Sequence, residues 1–189
     1  MNMYKTLAVI AAACLASTTA RAADALPAGT LITGQVSGAS TTLLGLDHLF
    51  ADEAGSNVTK LVADDLEFLS GDAMVGIDFF TDGRLEVWNN GGATLDGTYT
   101  FTFSFAGLSQ PITGFTPLDL TGVTAGSVSL QLVNPSTVSL TLTDVNTGGG
   151  FASFTTQLNV SAVPEPASLV LMGAGLGLLA LRRAKRAAA

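Results

Sequence analysis

Cysteine and histidine are almost absent from this chain of 189 residues, which has one of each, Cys14 and His48. A structural zinc site normally takes four cysteine or histidine ligands, and a cysteine nucleophile needs a histidine base beside it. The chain also contains no G-x-S-x-G elbow, no phosphate-binding loop and no H-E-x-x-H motif. The sequence therefore predicts no catalytic residue, no metal site and no bound cofactor.

Basic residues are scarce between the two ends of the chain. All of the 15 Asp and Glu residues except Glu165 lie between Asp24 and Asp144, where only Lys60 and Arg84 are basic. This stretch carries a net charge of about −12, and such a surface repels nucleic acid and other polyanions. We therefore predict no nucleic-acid partner. We interpret the negative charge of this surface mainly as a means of solvation. The alternative is that the carboxylates bind divalent cations weakly.

The N-terminal residues, MNMYKTLAVIAAACLASTTARAADA, have the layout of a secretory signal peptide. Lys5 precedes an apolar stretch, and Ala20-Arg21-Ala22 has the A-x-A pattern of a cleavage site. We predict that residues 1–22 form a signal helix that is cut after Ala22, which leaves no thiol in the mature chain. The alternatives are a buried helix of the mature domain and a lipoprotein signal with Cys14 as the acceptor.

The middle of the chain, residues 23–162, repeats a period of two that is typical of half-buried strands. In residues 97–105, GTYTFTFSF, aromatic side chains alternate with threonine and serine. Alternation or β-prone composition also marks residues 30–36, 58–62, 73–80, 84–88, 128–132, 138–142 and 154–160. We predict an all-β domain, an antiparallel β-sandwich of about 8–10 strands.

Turn residues separate these predicted strands. Residues 81–83 (Thr-Asp-Gly) and 134–136 (Asn-Pro-Ser) each predict a tight turn between two strands. Residues 146–150 (NTGGG) predict a further hairpin, between the last two strands. We expect a loop at residues 89–92 and one short helix or a loop at residues 43–54.

Three groups of polar residues are candidate cation sites. His48 lies among Asp47, Asp52 and Glu53, although a histidine in a polar connection is the simpler interpretation. Asp144, Asn146 and Gly148 match the start of a calcium loop, but Thr155 stands where an EF-hand has glutamate, and turn chemistry explains all three. Asp64, Asp65 and Glu67 could gather a hard cation or simply alternate along a strand edge.

Trp88, the only tryptophan, is a candidate platform for a sugar because Asn89 and Asn90 follow it. The alternative is a tryptophan buried in the core at the end of a strand. A pair of carboxylates for glycoside hydrolysis is also available in principle, but no two of them are marked as partners in the sequence.

The chain ends VPEPASLVLMGAGLGLLALRRAKRAAA, residues 163–189. Residues 167–181 carry no charge and would form a helix about 22 Å long, which is shorter than a membrane core of about 30 Å. By the positive-inside rule, the basic cluster that starts at Arg182-Arg183 stays cytoplasmic. We predict a short transmembrane helix at residues 167–181, and a permanent C-terminal anchor is the alternative.

The tripeptide Pro164-Glu165-Pro166, the apolar run and Arg182-Arg183 follow one another in an order that resembles the PEP-CTERM sorting signal. The resemblance covers residues 163–187. It implies export by a Gram-negative bacterium, transit through the inner membrane and processing by an exosortase, a transpeptidase-like membrane enzyme. It also implies an association with exopolysaccharide, biofilm and the cell surface.

In this resemblance Pro164, Glu165 and Pro166 are the recognition motif, and Arg182 and Arg183 are the cytoplasmic stop. The resemblance ends at the tail and leaves the preceding domain open. The leading hypothesis is an exported, non-enzymatic structural or adhesive component of the cell surface or extracellular matrix. The second is a carbohydrate- or calcium-dependent binding module for matrix polysaccharide, and the third is a small secreted hydrolase.

Overall fold

The computed structural model describes residues 25–63, 65–92, 94–161, 173 and 175–177. Its strands in chain order are β1 (Leu31–Gly38), β2 (Leu43–Gly45), β3 (Val58–Lys60), β4 (Phe68–Ser70), β5 (Val75–Phe79), β6 (Arg84–Asn89), β7 (Thr94–Ala106), β8 (Ile112–Asp119), β9 (Ala125–Asn134), β10 (Thr137–Asn146) and β11 (Ala152–Val160). A short 3-10 helix, Leu46–His48, follows β2.

The strands form two antiparallel sheets. The five-stranded sheet has the order β3-β1-β7-β10-β9, and the six-stranded sheet has the order β2-β4-β5-β6-β11-β8. Every strand pair is antiparallel. The predicted all-β class and its antiparallel pairing are confirmed, and the described residues form eleven strands where the sequence predicts about 8–10.

Both sheets contribute to one apolar core, as the period of two in the sequence requires. Phe101 and Phe103 of β7 are fully buried, while Thr100 and Thr102 lie on the other face of the same strand. Phe79 of β5 meets Phe103 edge to face, with 5.0 Å between the ring centroids. Such aromatic contacts between the sheets add to the large apolar area that each ring buries.

Each segment predicted as a strand coincides with a strand of the structure, but three strands were not predicted. The residues of β2 are all buried, so no alternation marks it, and the 3-10 helix follows where we expected a helix or a loop. The strand β4 has only three residues. The strand β8 contains Pro117 and two register shifts, which obscure its period.

The hairpin predicted at residues 146–150 is wrong. β10 belongs to the five-stranded sheet, whereas β11 pairs with β6 and β8 in the other sheet, so the chain crosses between the sheets here. Gly148 and Phe151 have positive φ angles of 74° and 59°, which turn the chain away from β10. The turns at residues 81–83 and 134–136 are confirmed, because each joins two paired strands.

Asp24–Ser161 forms one compact unit. The predicted signal peptide, including Ala20 and Ala22, and most of the tail lie outside the described residues. Of the predicted transmembrane segment, the structure describes Gly173 and residues 175–177, which are helical. None of the helices in the described part of the chain has the length and apolar character needed to cross a membrane.

Candidate binding face on the six-stranded sheet

The outer face of the six-stranded sheet presents the tryptophan. Along β6, Leu85 and Val87 are buried in the core, whereas Arg84, Glu86 and Trp88 alternate with them and are half-buried. Because successive side chains of a strand point to opposite faces, Trp88 lies on the outer face. The interpretation of Trp88 as a core residue is therefore wrong.

A glycine and a serine flank Trp88 on the neighbouring strands. In the ladders, Trp88 is opposite Gly76 of β5 and Ser153 of β11. A Cβ atom at Gly76 would lie 3.5 Å from Cβ of Trp88 and 3.3 Å from Cδ1 of Leu66. Gly76 itself is buried, so Leu66 packs over the glycine on one side of the tryptophan.

Carboxylates occupy the next row of the same face. Asp78 of β5 lies directly opposite Glu86, Glu86 lies opposite Thr155, and Thr155 lies opposite Asp119 of β8. The Ser153 hydroxyl donates a hydrogen bond of 2.6 Å to Oε1 of Glu86. We call Gly76, Asp78, Glu86, Trp88 and Ser153 the binding face, since an aromatic ring and hydrogen-bond acceptors lie side by side there.

A cation–π contact borders the binding face. Cζ of Arg84 lies 3.7 Å from the centroid of the Phe80 ring. This contact holds the guanidinium group of Arg84 at the end of β5. In the ladder with β11, Arg84 is opposite Gln157. The only arginine of the compact unit is thus packed on an aromatic ring.

The groups of the binding face are of kinds that can contact a sugar. An aromatic ring offers a flat apolar surface, and carboxylate and hydroxyl groups beside it can accept and donate hydrogen bonds to sugar hydroxyls. The sequence itself indicates which residues lie opposite each other on this face. A hairpin centred on Asp82, within the predicted turn, places Asp78 opposite Glu86 and Gly76 opposite Trp88.

A polar cleft of about 310 Å³ lies elsewhere, lined by residues 39–42, Leu44, Asp52, Gly71 and Asp72. The Asp72 carboxylate already accepts hydrogen bonds from the hydroxyls of Ser70 and Tyr99 and from the Met74 amide. Burial by itself would raise the pKa of Asp72, but these hydrogen bonds outweigh it and lower the pKa. The carboxylate thus serves the fold, which leaves this cleft the weaker candidate.

Glu67 is an interior carboxyl that sequence reasoning placed in a strand-edge or cation-binding cluster. It is 1% exposed, and its two oxygens accept hydrogen bonds from the amides of Phe79 (2.6 Å) and Val62 (3.0 Å). Burial raises its pKa to about 8, against the effect of these hydrogen bonds, and the nearby charge of Asp78 adds to the rise. The prediction of a shared edge with Asp65 is wrong, because Asp65 is exposed and Glu67 is internal.

His48 and its acidic neighbours form one loose contact. Nδ1 of His48 lies 3.5 Å from Oε1 of Glu53. Asp47 is exposed, and Asp52 lines the polar cleft. Within the described ranges, no group of three or more His, Cys, Asp or Glu side chains is placed to hold a metal ion.

The calcium-like residues of the 144–148 segment bind protein groups. Oδ1 of Asp144 accepts a hydrogen bond from the Gly97 amide at 2.8 Å, and Asp144 itself has a φ of 46° in a β-bulge. Oδ1 of Asn146 accepts hydrogen bonds from the Gly148 amide and the Thr124 hydroxyl. Turn and bulge geometry therefore accounts for these side chains.

Residues 162–186 match the PEP-CTERM protein-sorting motif. No curated protein and no solved structure matches the chain. The motif residues Pro164, Glu165, Pro166, Arg182 and Arg183 lie outside the described residues. The chain is therefore an exported protein that passes through the membrane toward the cell surface and is processed by an exosortase.

Proposed function

We propose that this protein is a non-enzymatic structural or adhesive component of the cell surface or extracellular matrix. The observation that carries the proposal is the PEP-CTERM sorting motif at residues 162–186. The domain that it delivers supports the proposal, because it is a β-structure with an apolar core and an acidic, soluble surface. The chain also lacks the sequence motifs of common hydrolases.

The proposed sorting route has four steps. The signal peptide at residues 1–22 directs export and is removed after Ala22. The apolar run at residues 167–181 then holds the tail in the inner membrane, with Arg182 and Arg183 on the cytoplasmic side. The exosortase recognises Pro164-Glu165-Pro166 outside the membrane, and it removes the tail or transfers the domain to the envelope.

Intact mass spectrometry of the protein from its own host tests this route. We expect a form that starts near Ala23 and lacks residues 167–189, recovered from the envelope surface or the culture fluid. The unprocessed form of the double variant Pro164→Ala with Glu165→Ala should accumulate in the membrane fraction. Ser168→Ala is the control, because it alters the tail outside the Pro164-Glu165-Pro166 tripeptide. A native form that keeps residues 167–189 in the membrane would mean a permanent anchor and would contradict the route.

Binding of a matrix polysaccharide by the binding face is the second proposed function. The specific observation in its favour is the outward position of Trp88 beside Gly76 and above the Glu86–Ser153 hydrogen bond. The domain's negative charge disfavours an acidic polymer, so we propose a neutral polysaccharide that donates its hydroxyls to Glu86. The proposed contacts are direct, from Trp88 and Glu86 to the sugar, without a bridging calcium ion.

A panel of neutral polysaccharides, with binding measured by isothermal titration calorimetry, tests this second function. Trp88→Ala should weaken binding by about tenfold, because the sugar would lose its apolar contact with the ring; a nucleic-acid base stacked on an aromatic ring gains about 1–3 kcal/mol, and we expect a contribution of this order. Trp88→Phe should keep most of the affinity, and Leu118→Ala, which alters an exposed apolar residue of β8, should keep all of it. Equal affinity in wild type and Trp88→Ala, or binding that EDTA abolishes, would contradict the proposal.

A further inference from the structure

The two sheets have four edge strands, and three of them are poor templates for another strand. β2 and β3 have three residues each, and β3 ends in Lys60. β8 contains Pro117, ends in Asp119 and is interrupted by two register shifts. Short length, charge, proline and bulges are the features by which edge strands avoid pairing with another chain.

The fourth edge, β9, has none of these features along most of its length. Its ten residues, AGSVSLQLVN, include no charged residue and no proline. Its register with β10 runs without interruption from Val128 to Leu132. Within the described part of the chain β9 exchanges ladder hydrogen bonds with β10 alone. Among the described residues, the backbone groups on the other side of β9 have no ladder partner.

The core is also incomplete at this edge. Val138, Leu140 and Leu142 of β10 are fully buried. Their ladder partners on β9, which are Leu132, Leu130 and Val128, are only partly buried although they pack against the core. A further strand beside β9 would cover the exposed part of these three side chains. The edge therefore offers apolar area as well as hydrogen bonds.

The distribution of charge favours a second copy of this chain as the partner. The compact unit is strongly acidic, so two copies repel each other over most of their surfaces. The stretch from Ala125 to Thr143, which comprises β9 and most of β10, contains no charged residue. Two copies can approach along this stretch with the least repulsion, and a strand can pair antiparallel with itself about a two-fold axis.

We propose that β9 pairs antiparallel with β9 of a second copy of this chain, so that the two five-stranded sheets join into one continuous sheet. The side chains that alternate with the apolar ones, Ser127, Ser129 and Gln131, then face their counterparts across the two-fold axis. This self-association is independent of the binding face, which lies on the other sheet. It would double the number of binding faces in each assembly.

Charge reversal across the axis tests the proposal on the protein purified from its own host. Sedimentation velocity of the wild type should give a dimer at micromolar concentrations. Ser129→Lys with Gln131→Lys places like charges opposite each other and should give a monomer, as should Ser129→Glu with Gln131→Glu. An equimolar mixture of the two double variants should restore the dimer.

A matched control introduces the same two positive charges on β10, one strand further from the proposed interface. Ser139→Lys with Thr141→Lys changes the ladder partners of Gln131 and Ser129 on β10. It should remain dimeric, with an unchanged circular dichroism spectrum. A wild type that stays monomeric up to about 100-fold higher concentration, a control that dissociates as fully as the β9 variant, or a mixture that stays monomeric would overturn the proposal.

Cysteine cross-linking gives a second readout that does not depend on dissociation. In a Cys14→Ser background, single variants Ser127→Cys, Ser129→Cys and Gln131→Cys should form disulfide-linked dimers, with the highest yield nearest the two-fold axis. Thr141→Cys, one strand inward, should give no disulfide. Equal yields at all four positions would mean random collision and would contradict the proposed pairing.

Discussion

The hydroxyl of Tyr99 donates a hydrogen bond of 2.7 Å to Oδ2 of Asp72, and this bond ties the two sheets together. Tyr99 belongs to β7 of the five-stranded sheet, while Asp72 lies in the turn between β4 and β5 of the six-stranded sheet. The same carboxylate accepts hydrogen bonds from Ser70 and Met74, which shape that turn. Burial and the bond to Asp72 together raise the pKa of Tyr99 to about 12.

Removal of this bond gives the first prediction. Tyr99→Phe should lower the free energy of unfolding by about 1–3 kcal/mol, because a partly buried charged acceptor loses one donor. Urea unfolding followed by circular dichroism measures the change. Thr100→Val is the control, since its hydroxyl makes only a contact of 3.4 Å on the outer face. An equal loss in both variants would mean that the Tyr99 hydroxyl has no special role.

The same variant should change the response to acid. The pKa of Asp72 is lower in the folded protein, so its contribution to stability is present above its ordinary pKa of 3.8 and is lost as the pH falls through the folded value. Tyr99→Phe removes one cause of the lowered pKa. The variant should therefore lose less stability than wild type when the pH falls from 5 to 2.

Glu67 gives the opposite pH dependence. Its folded pKa of about 8 lies above the ordinary value of 4.5, so the folded protein binds a proton between these two values. This contribution to stability is complete below about pH 4.5 and is lost as the pH rises through 8. We expect the free energy of unfolding to fall by roughly 2–4 kcal/mol between pH 5 and pH 9, since each pKa unit corresponds to about 1.4 kcal/mol.

Glu67→Gln tests the origin of this alkaline loss. The variant cannot ionise, so its stability should be flat from pH 5 to pH 9. At pH 5 it should be about 1–3 kcal/mol less stable than wild type, because an amide can accept from only one of the Val62 and Phe79 amides. Asp65→Asn, an exposed carboxylate two residues away, should keep the wild-type slope. A slope that persists in Glu67→Gln would assign the pH dependence to another group.

A further prediction concerns Gly38, at the end of β1. Its φ is +101°, and a Cβ atom there would lie 2.0 Å from the carbonyl oxygen of Thr98. That carbonyl accepts a hydrogen bond from the Ala39 amide, so it cannot move freely. Gly38→Ala should cost about 2 kcal/mol or more in thermal unfolding. Gly149→Ala should cost less than about 1 kcal/mol, because nothing lies within 4 Å and its φ is not positive.

The sequence predicted the parts of this fold in which local pattern and tertiary structure agree. Residues 97–105 alternate because one face of β7 meets the core, and the Thr-Asp-Gly turn fixes the β5–β6 register. The strand β2 could not be found, because burial on both faces leaves no alternation. The crossing at residues 147–151 was mistaken for a hairpin, since a glycine-rich turn does not reveal which sheet the next strand joins.

The candidate binding face was predicted only in part. The residue type makes Trp88 a candidate, and the alternation of buried Leu85 and Val87 along β6 indicates that its side chain points outward. Glu67 could not have been separated from Asp65 by sequence alone. Its buried carboxyl accepts hydrogen bonds from the amides of Phe79 and Val62, and only the folded chain brings these amides to it.

Glu86 gives the last prediction, which concerns the binding face itself. Ser153 bonds to Oε1 of Glu86, which leaves Oε2 as a charged acceptor beside Trp88. Glu86→Gln keeps an oxygen for Ser153 and should leave the unfolding temperature nearly unchanged. Affinity for a neutral polysaccharide should fall about tenfold, because a hydrogen bond to a charged group contributes about 1.5–3 kcal/mol and a neutral one about half of that. Asp96→Asn makes the same change of charge at an exposed position of β7, in the other sheet, and should leave the affinity unchanged. If both variants bind equally well, Glu86 does not contact the sugar, and the proposed orientation of the ligand beside Trp88 is wrong.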